Sequence, residues 1–393
     1  MIADSDLLPV DAIDQLPFTP AEYDARLTAC RQAMSERGID YLVLNSPENI
    51  YYLSGFITKG YYVFQALVVT HTSEPILVVR RYEQANVERL SYYRCAAIWQ
   101  DTDVPAEVLA RTLADLGAAG KTVGVDANAV FFTVSAYETL RAAMPGTKFV
   151  NASTVLEKCR AIKSPQEIAY IRRAAEALSV GFRAAHEAAR PGRTENDVAA
   201  AFHHAAISAG SEYMGSAPYV VSGPRTALPH ATWAGRRIEK GDLVLVEGSA
   251  NWKRYSAALM RTWCMGKPSD SVRRAADVSK AALDAAIAAI KPGATSGEID
   301  DACRGTVARG GLAHAFLHRT GYSIGVGICP GWGEGWVMDL KEGDPRVLQP
   351  GMVFHMVPVL FPEPDVSVGF SATVLVTNAG AEIISDYPRE IEC

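Results

Sequence analysis

The sequence predicts two domains, an α/β layer domain followed by an α+β domain. Its 393 residues exceed the ~250–300 residues beyond which a single hydrophobic core seldom grows. Over residues 1–160, helical and strand-like hydrophobic patterns alternate, as they do in α/β layers. Over residues 161–393, two similar helix-capping motifs suggest a duplicated α+β unit. We therefore expect the domain boundary near residue 160.

The elements of the first domain are predicted from hydrophobic periodicity and turn residues. Residues 21–37 have a helical pattern that stops at Gly38, and residues 41–45 form a short apolar run before Ser46-Pro47. Short apolar runs between turn residues indicate buried strands. Further strands are predicted at 66–70, 75–79 and 122–125, and a further helix at 105–116.

A helix-start signal opens the second domain. Ser164 can cap a helix with its side chain, and Pro165 suits the first helical position because it has no N–H to leave unpaired. The pattern that follows predicts one long helix from residue 165 to about residue 189.

Two segments of the second domain resemble each other. Residues 189–197 and 290–298 each contain a Pro-Gly pair, then a threonine, then an acidic residue three positions later. Pro-Gly ends a helix, and the threonine with the acid forms a capping box for the next helix. The pair indicates a duplicated unit, although chance use of common capping residues would give the same pattern.

Composition excludes several classes of function. The net charge of −6 and the pI of about 5.8 disfavour a nucleic-acid surface. No apolar stretch approaches the ~18 residues of a membrane span, and the acidic N-terminus does not resemble a signal peptide. The seven cysteines show no CxxC spacing, which is typical of reduced thiols. We expect a cytoplasmic protein that binds neither nucleic acid nor membrane.

Four blocks of the second half carry a family resemblance. They are residues 161–168, 240–247, 255–262 and 349–355. In order and spacing they resemble the metallopeptidase-like family of methionine aminopeptidase, aminopeptidase P, prolidase and creatinase. The resemblance covers nearly the whole chain. It implies an α+β "pita-bread" C-terminal domain behind an α/β creatinase-type N-terminal domain.

The ligand positions of this family can be compared one at a time. Its peptidases hold two divalent ions with five carboxylate and imidazole ligands. The corresponding positions here hold Glu247, Ala258, Tyr322, Val357, and Ser371 or Ala372. Alanine and valine have no lone pair to offer, and tyrosine is a poor ligand for Mn²⁺ or Zn²⁺ at neutral pH. We therefore predict that the protein binds no metal and uses no cofactor.

Loss of the metal leaves two interpretations, a binding module or a metal-free hydrolase like creatinase. A neutral amide needs a Lewis acid to polarise its carbonyl, whereas the central carbon of an amidinium or guanidinium is already cationic. Such a substrate needs a carboxylate to hold it and a base to activate water. Enzymes of the second kind hydrolyse C–N bonds other than peptide bonds.

Glu247 and His230 are the candidates for these two roles. Glu247 is expected to end the strand that begins at Asp242, where burial would require a cationic partner. That partner is either the substrate or Arg261. His230 corresponds to the catalytic histidine of creatinase and can exchange a proton near pH 7. It can also be a substrate-contact histidine, because metal-dependent relatives have one there.

Six further residues are candidates for substrate binding. Trp332 and Glu334 lie in a glycine-rich segment and would suit an apolar, cationic ring, or they form a surface turn. The tyrosines can donate to a leaving nitrogen or a carboxylate, or pack in the core, and the histidine is either functional or a satisfied core residue. The six candidates are Tyr255, Arg319, Tyr322, Trp332, Glu334 and His355.

The ectoine hydrolase branch of the family resembles this chain more closely than creatinase does. The resemblance rests on residues 229–233, 253–255, 319–325, 332–334 and 354–355. It implies hydrolysis of the cyclic amidine ectoine to an acetylated diaminobutyrate.

Two departures from the pattern of this branch leave the substrate open. They are Ala372, in a region where the branch has an acid, and Phe64, where it tends to have a histidine. The alternatives are a creatinase-like amidinohydrolase, an Xaa-Pro dipeptidase and a non-catalytic binding protein.

The resemblance also implies a homodimer. In creatinase relatives, the N-terminal domain of one chain closes the site of the other. The aromatic segment 51–62 would then face the partner's pocket. The alternative is that these rings pack within their own domain, as most aromatic residues do.

Overall fold

The computed structural model describes residues 16–328, 330–385 and 387–392. These residues form two compact units. The first comprises the described residues up to Arg160, and the second comprises those from Ala161 onward.

The first unit alternates helices and strands, as predicted. Its helices are α1 (Pro20–Glu36), α2 (Pro47–Ser54), α3 (Gln84–Leu90), α4 (Pro105–Asp115), α5 (Val134–Ala143) and α6 (Thr154–Ala161), the last reaching the unit boundary. Its strands are β1 (Tyr41–Leu44), β2 (Ala66–Thr70), β3 (Ile76–Arg80), β4 (Ala96–Trp99), β5 (Thr122–Val125) and β6 (Lys148–Asn151). The predicted helices and strands are confirmed to within two residues. The elements α2, α3, β4, α5, α6 and β6 were not predicted.

The strands of this unit form one mixed sheet in the order β4-β3-β2-β1-β5-β6. Successive residues of β1 point to opposite faces, as they do in any strand. Leu42 and Leu44 join one hydrophobic cluster, and Val43 joins another. A sheet covered by apolar clusters on both faces confirms the predicted α/β layer domain.

The aromatic segment 51–62 divides between core and surface. Tyr51, Tyr52 and Phe56 are buried, and the last two belong to a hydrophobic cluster of the first unit, whereas Tyr62 is 70% exposed. Tyr52 and Phe56 therefore pack within their own domain, which is the alternative stated for this segment. Phe64 lies beside Phe132, with 6.5 Å between ring centroids.

The second unit contains two pairs of helices and several antiparallel strands. Its helices are α7 (Pro165–Ala188), α8 (Glu195–Ser208), α9 (Asp270–Ala289) and α10 (Ser296–Arg309). Its strands are β7 (Tyr219–Ser222), β8 (Leu243–Trp252), β9 (Tyr255–Cys264), β10 (Gly321–Ser323), β11 (Asp339–Leu340), β12 (Val353–Met356), β13 (Val359–Glu363), β14 (Val366–Gly369), β15 (Ala372–Thr377) and β16 (Gly380–Ile383).

The predicted internal repeat is present in the helix pairs. Thr194 and Thr295 each cap the second helix of a pair and complete a capping box with an acid three residues later. Each threonine also forms an isolated antiparallel bridge, Thr194 with Arg237 and Thr295 with Val347. The two loops therefore have the same local construction, because the same capping residues satisfy the first N–H groups of each helix.

Three sheets frame the second unit. Strands β7-β8-β9 form one, β11-β10-β12-β15-β16 form another, and β13-β14 form a hairpin. A large apolar cluster lies between α9, α10 and the strands β12, β14 and β15. Within the described ranges, no helix is long and apolar enough to cross a membrane.

One boundary differs from the prediction. Glu247 does not end its strand, because β8 continues to Trp252 and pairs with β9 residue for residue from Leu243↔Cys264 to Trp252↔Tyr255. Glu247 therefore lies in the middle of a central strand, flanked by β7 and β9. Its side chain is 11% exposed.

Candidate active site

The second unit contains a cavity of about 1050 Å³. Its wall includes an apolar cluster formed by Val221, Leu245, Met260, Val357 and Val359. The predicted site residues that line it are His230, Glu247, Arg319, Tyr322 and Trp332. Cavities that combine an apolar wall with a few polar groups are the usual form of a small-molecule site.

The carboxyl group of Glu247 lies in this apolar wall of the cavity. Leu245 and Glu247 are two residues apart on β8, so both side chains face the cavity. The carboxylate accepts no hydrogen bond from the residues that the structure describes, and its nearest cationic candidate is His355, with 4.0 Å between Oε1 and Nδ1. Burial raises the pKa of Glu247 to about 8. Without a ligand, this carboxyl group is therefore mostly protonated at pH 7.

Arg261 does not supply the missing cation. In the β8–β9 register Glu247 pairs with Met260, whereas Arg261 pairs with Val246 on the opposite face of the sheet. Its guanidinium donates to the carbonyl oxygens of Met260, Ser371 and Pro388 at 2.7, 2.8 and 2.9 Å. Arg261 is therefore not the partner of Glu247.

His230 is exposed on a tight turn at the cavity wall. The N–H of Ala231 donates to the carbonyl of Leu228 at 3.2 Å, Pro229 occupies the second position, and His230 has a φ of 60°. This is the arrangement of a type II turn, which favours proline second and requires a positive φ third. Residues with side chains rarely adopt that conformation, and such strain is concentrated at functional sites.

His355 and Tyr322 form a hydrogen-bonded pair at the back of the cavity. The Nδ1 of His355 lies 2.9 Å from the Tyr322 hydroxyl, and its Nε2 lies 2.7 Å from Oγ of Ser371. Trp332 donates its indole N–H to the same tyrosine oxygen at 2.9 Å. Burial lowers the pKa of His355 to about 3 and raises the pKa of Tyr322 well above its ordinary value. At pH 7 the imidazole is therefore neutral and the phenol protonated.

The glycine-rich segment is shaped by this tyrosine. A Cβ atom on Gly333 would lie only 2.6 Å from the Tyr322 ring, so the chain can pass at this point only without a side chain. The close passage places Trp332 against Tyr322 and inside the cavity wall, with 4% of its surface exposed.

Arg319 lies at the more exposed end of the cavity. Its Nε is 2.7 Å from Oδ1 of Asp339, and its guanidinium carbon is 4.8 Å from the centroid of the Tyr322 ring. The side chain is 41% exposed. Arg319 can therefore meet an anionic group of a ligand only while sharing its charge with Asp339.

Tyr255 and Glu334 do not line the cavity, which corrects the expectation that they contact substrate. The Tyr255 hydroxyl is buried and donates to Oε1 of Glu167, the acid that completes the capping box of α7. Glu334 is buried and ion-paired with Lys163, at 3.3 Å between Oε2 and Nζ, and accepts from the N–H of Val326. Both side chains have structural partners because they point away from the cavity. His355 reaches the cavity only through Tyr322.

Two residues of this site were not predicted. Tyr219 lines the cavity between His230 and Trp332, with 5.4 Å between its ring centroid and each of theirs. It lies directly opposite Glu247 in the β7–β8 register. That register is a long-range pairing, so no local pattern indicates it. Ser371 was noted only as a replaced ligand, and its contact with His355 was not foreseen.

The side chains at the family's ligand positions do not fit a two-metal centre. Val357 belongs to the apolar cluster, Ala258 is buried in β9, and Tyr322 and Ser371 are both hydrogen-bonded to His355. Across residues 16–328, 330–385 and 387–392, no three His, Cys, Asp or Glu side chains form a group that could hold a metal. Metal independence nevertheless stays a prediction until the protein's metal content is measured.

Known proteins resemble this chain along nearly its whole length. Residues 169–378 match metallopeptidase family M24, and residues 26–162 match the creatinase/prolidase N-terminal domain. An ectoine hydrolase of Halomonas elongata is 30% identical over 394 residues, which cover 96% of this chain and 98% of that protein. An Xaa-Pro dipeptidase of Pyrococcus furiosus is 28% identical, with 93% and 99% covered.

Solved structures support the same assignment. The dipeptidase PepE of Mycobacterium ulcerans superposes with a TM-score of 0.80 at 29% identity, covering 95% of this chain and 98% of that one. The similarity confirms the predicted pita-bread domain behind a creatinase-type N-terminal domain. The chain therefore belongs to metallopeptidase family M24 and is a hydrolase of that family.

Proposed function

We propose that this protein is a metal-independent hydrolase of a C–N bond in a small cationic amidine or guanidine, with ectoine as the first candidate substrate. One observation carries the proposal. The carboxylate of Glu247 lies in an apolar cavity and accepts no hydrogen bond from the described part of the chain. A buried carboxylate of this kind is stabilised when a ligand supplies a cation and N–H donors.

The cavity wall around Glu247 also suits a flat cation. Tyr219 and Trp332 are both cavity residues, and their ring centroids are 5.4 Å apart. Aromatic faces attract cations, most strongly where water is excluded. An amidinium could therefore contact aromatic rings while its N–H groups donate to Glu247.

The proposed reaction consumes one water molecule and needs no other reactant. His230 takes a proton from water as the water oxygen forms a bond to the cationic amidine carbon. The proton passes to the leaving nitrogen, and the bond between that nitrogen and the carbon breaks. The remaining proton of the new hydroxyl group then passes to the departing amine as the carbonyl forms, so the products are an amide and an ammonium group that carries the charge of the substrate, and both remain in one molecule when the substrate is a ring.

Ectoine is chosen because an ectoine hydrolase is among the relatives. The two departures from that branch lie away from the cavity wall. Ala372 is buried in the large core cluster of the second unit, and Phe64 packs against a core cluster of the first unit. Neither residue lines the described cavity, so neither disfavours ectoine within this chain.

The direct test incubates purified protein with ectoine and follows the ring carbon by NMR and the addition of one water by mass spectrometry. We expect turnover by the unmodified protein, and losses of about 10²–10⁴-fold in His230→Ala and Glu247→Gln. Matched surface variants, His314→Ala and Glu239→Gln, should keep full activity because both side chains are exposed outside the cavity. Equal activity in all four variants would contradict these roles.

A second candidate function is Xaa-Pro dipeptidase activity, which the Pyrococcus furiosus relative favours. Its test uses Xaa-Pro dipeptides with and without added Mn²⁺, together with elemental analysis of the purified protein. Near-stoichiometric metal and metal-stimulated cleavage of dipeptides would replace our proposal. Guanidines such as creatine form a third arm, which separates an amidinohydrolase from an ectoine hydrolase. A non-catalytic binding protein would turn over none of these compounds.

We also propose that the protein is a cytoplasmic homodimer, on the basis of the family resemblance. Light scattering of the purified protein tests the assembly, with a mass near twice 42.3 kDa as the expected result. Within segment 51–62, the exposed ring of Tyr62 is available for an intersubunit contact.

A further inference from the structure

Three side chains form a continuous hydrogen-bonded chain that ends at the cavity. Ser371, His355 and Tyr322 are joined by contacts of 2.7 and 2.9 Å through the two ring nitrogens of the histidine. Ser371 and His355 are fully buried, whereas Tyr322 lines the cavity. Hydrogen positions along such a chain follow from counting donors and acceptors.

Counting donors and acceptors leaves one proton without an acceptor inside the hydrogen-bonded chain. Tyr322 and Ser371 each carry one hydroxyl proton, and neutral His355 carries one N–H, so three protons serve two contacts. The outer neighbours cannot accept the third. Trp332 donates its N–H to the Tyr322 oxygen, and the backbone N–H of Met260 donates to Oγ of Ser371 at 2.5 Å. The surplus proton must therefore belong either to Ser371 or to Tyr322.

Burial decides between the two. If Nε2 of His355 carried the proton, Tyr322 would donate to Nδ1, and the hydroxyl proton of the fully buried Ser371 would have no acceptor among the described residues. An unsatisfied buried donor is strongly disfavoured. If Nδ1 carries the proton, Ser371 donates to Nε2, and the surplus proton lies on Tyr322, where the cavity offers water or a ligand as its acceptor.

We infer that His355 is protonated on Nδ1 and that, together with Ser371, it directs the hydroxyl proton of Tyr322 into the cavity as a donor to an oxygen atom of the substrate. The nature of the substrate rests on the proposed function, whereas the proton arrangement does not. Tyr322 is then a substrate-contacting residue, and His355 and Ser371 are positioning residues that act through it.

The chain also keeps the tyrosine a donor. The Tyr322 oxygen accepts hydrogen bonds from both Trp332 and His355. The hydroxyl proton of Tyr322 therefore points into the cavity. A protonated phenol with a raised pKa does not give up that proton at pH 7. Within the proposed function, the acceptor is either a carboxylate oxygen of the substrate or the oxygen that water adds to the reacting carbon.

The proton arrangement can be tested without any substrate. Two-bond ¹H–¹⁵N NMR of histidine-labelled protein distinguishes the two neutral tautomers, and His355→Gln identifies the signal among the eight histidines. We expect the Nδ1–H form for His355 at pH 7, with population of the Nε2–H form rising in Ser371→Ala. A pure Nε2–H form in the unmodified protein would overturn the inference.

The functional part is tested by a double-mutant cycle with ectoine. Tyr322→Phe removes the donor and should lower kcat/KM by about 10- to 100-fold. Ser371→Ala alone should lower it by about 3- to 10-fold, and by less than about 2-fold in the Tyr322→Phe background, because the two act through one hydrogen bond. A rise in KM alone would mark a carboxylate acceptor, and a fall in kcat would mark the reacting oxygen.

Ser279→Ala is the matched control. Ser279 is also a fully buried serine of the second unit and donates to the carbonyl of Pro358 at 2.6 Å, but it is not part of the hydrogen-bonded chain of Ser371, His355 and Tyr322. Any effect it has should multiply with that of Tyr322→Phe. Multiplicative effects for Ser371→Ala as well would contradict the positioning role. If ectoine is not hydrolysed at all, the proposed function fails while the tautomer measurement still decides the proton arrangement.

Discussion

Glu247 and Glu334 are buried carboxylates of the same unit, yet their surroundings are opposite. Glu334 has a lysine at 3.3 Å, with both side chains 1% exposed, and a backbone N–H at 3.1 Å. Glu247 has neither, and the nearest nitrogen that could carry charge belongs to His355 at 4.0 Å. A distance of 4.0 Å is too long for a hydrogen bond.

The difference teaches how to distinguish a structural acid from a functional one. A buried carboxylate whose partners all come from the chain holds elements together, and Glu334 links the glycine-rich segment to Lys163 at the start of the second unit. A buried carboxyl group without partners from the chain is a candidate for binding a ligand. Glu247 was predicted to pair with the cationic group of a substrate and Glu334 to contact the substrate; of these two acids, Glu247 lines the described cavity and Glu334 does not.

The largest expected effect is on catalysis, and it should separate the two acids. Glu247→Gln removes the charge that holds the cation and should lower kcat/KM for ectoine by about 10²–10⁴-fold. Glu334→Gln should leave the activity of the folded protein within a few-fold, because its side chain does not line the cavity. Steady-state kinetics of both variants at 25 °C checks the pair. Equal losses would remove the distinction between them.

The next effect is on stability, and here the large loss is expected for Glu334→Gln. Glu334→Gln removes the carboxylate that forms a buried ion pair with the ammonium of Lys163, and breaking such a pair typically costs about 3–5 kcal/mol. The readout is the shift of the thermal or urea unfolding transition. Glu382→Gln is the control, because its ion pair with Arg172 is about 40% exposed on both sides and should contribute at most about 1 kcal/mol. Comparable shifts in both variants would contradict the assignment of Glu334 as a structural acid.

Local signals account for what could be predicted of this molecule. The capping boxes at Ser164, Thr194 and Thr295 depend on residues three positions apart, so the sequence shows them directly. The partner of Glu334 lies 171 residues away, and no local pattern indicates it. The end of β8 was misplaced for a similar reason, because Gly248 and Ser249 are typical of turns but are held in a strand by pairing with β9.

The candidate site shows the same difference between local sequence signals and long-range contacts. His230 and Glu247 were found from a family resemblance and from the chemistry of their side chains, and both line the cavity. Tyr219 was missed because its place opposite Glu247 depends on strand register. Tyr255 was misassigned because its hydroxyl turns to Glu167 in α7. Residue type and the family resemblance therefore indicated candidate groups, and long-range packing decided which of them reach the cavity.

A smaller effect is the pH dependence of stability. The pKa of Glu247 is about 8 in the folded protein, against an ordinary value of 4.5. Its contribution is therefore fully present below pH 4.5 and is lost as pH rises towards 8, where the folded protein must ionise a buried group. Relative to Glu247→Gln, the unmodified protein should lose on the order of 3 kcal/mol of stability between pH 5 and pH 8. Unfolding transitions across this range provide the measurement, and a constant difference would show that Glu247 is already ionised.

The same pKa predicts proton release when a cation binds. With a pKa near 8, Glu247 carries about 0.9 proton at pH 7, and pairing with an amidinium favours the ionised form. Binding of ectoine to the His230→Ala variant should therefore release close to one proton, seen in calorimetry as a binding enthalpy that changes with the ionisation enthalpy of the buffer. Glu334→Gln should leave this release unchanged, because Glu334 has its counter-charge before and after binding. Binding without proton release would mean that the ligand does not pair with Glu247, and the distinction between the two acids would then rest on structure alone.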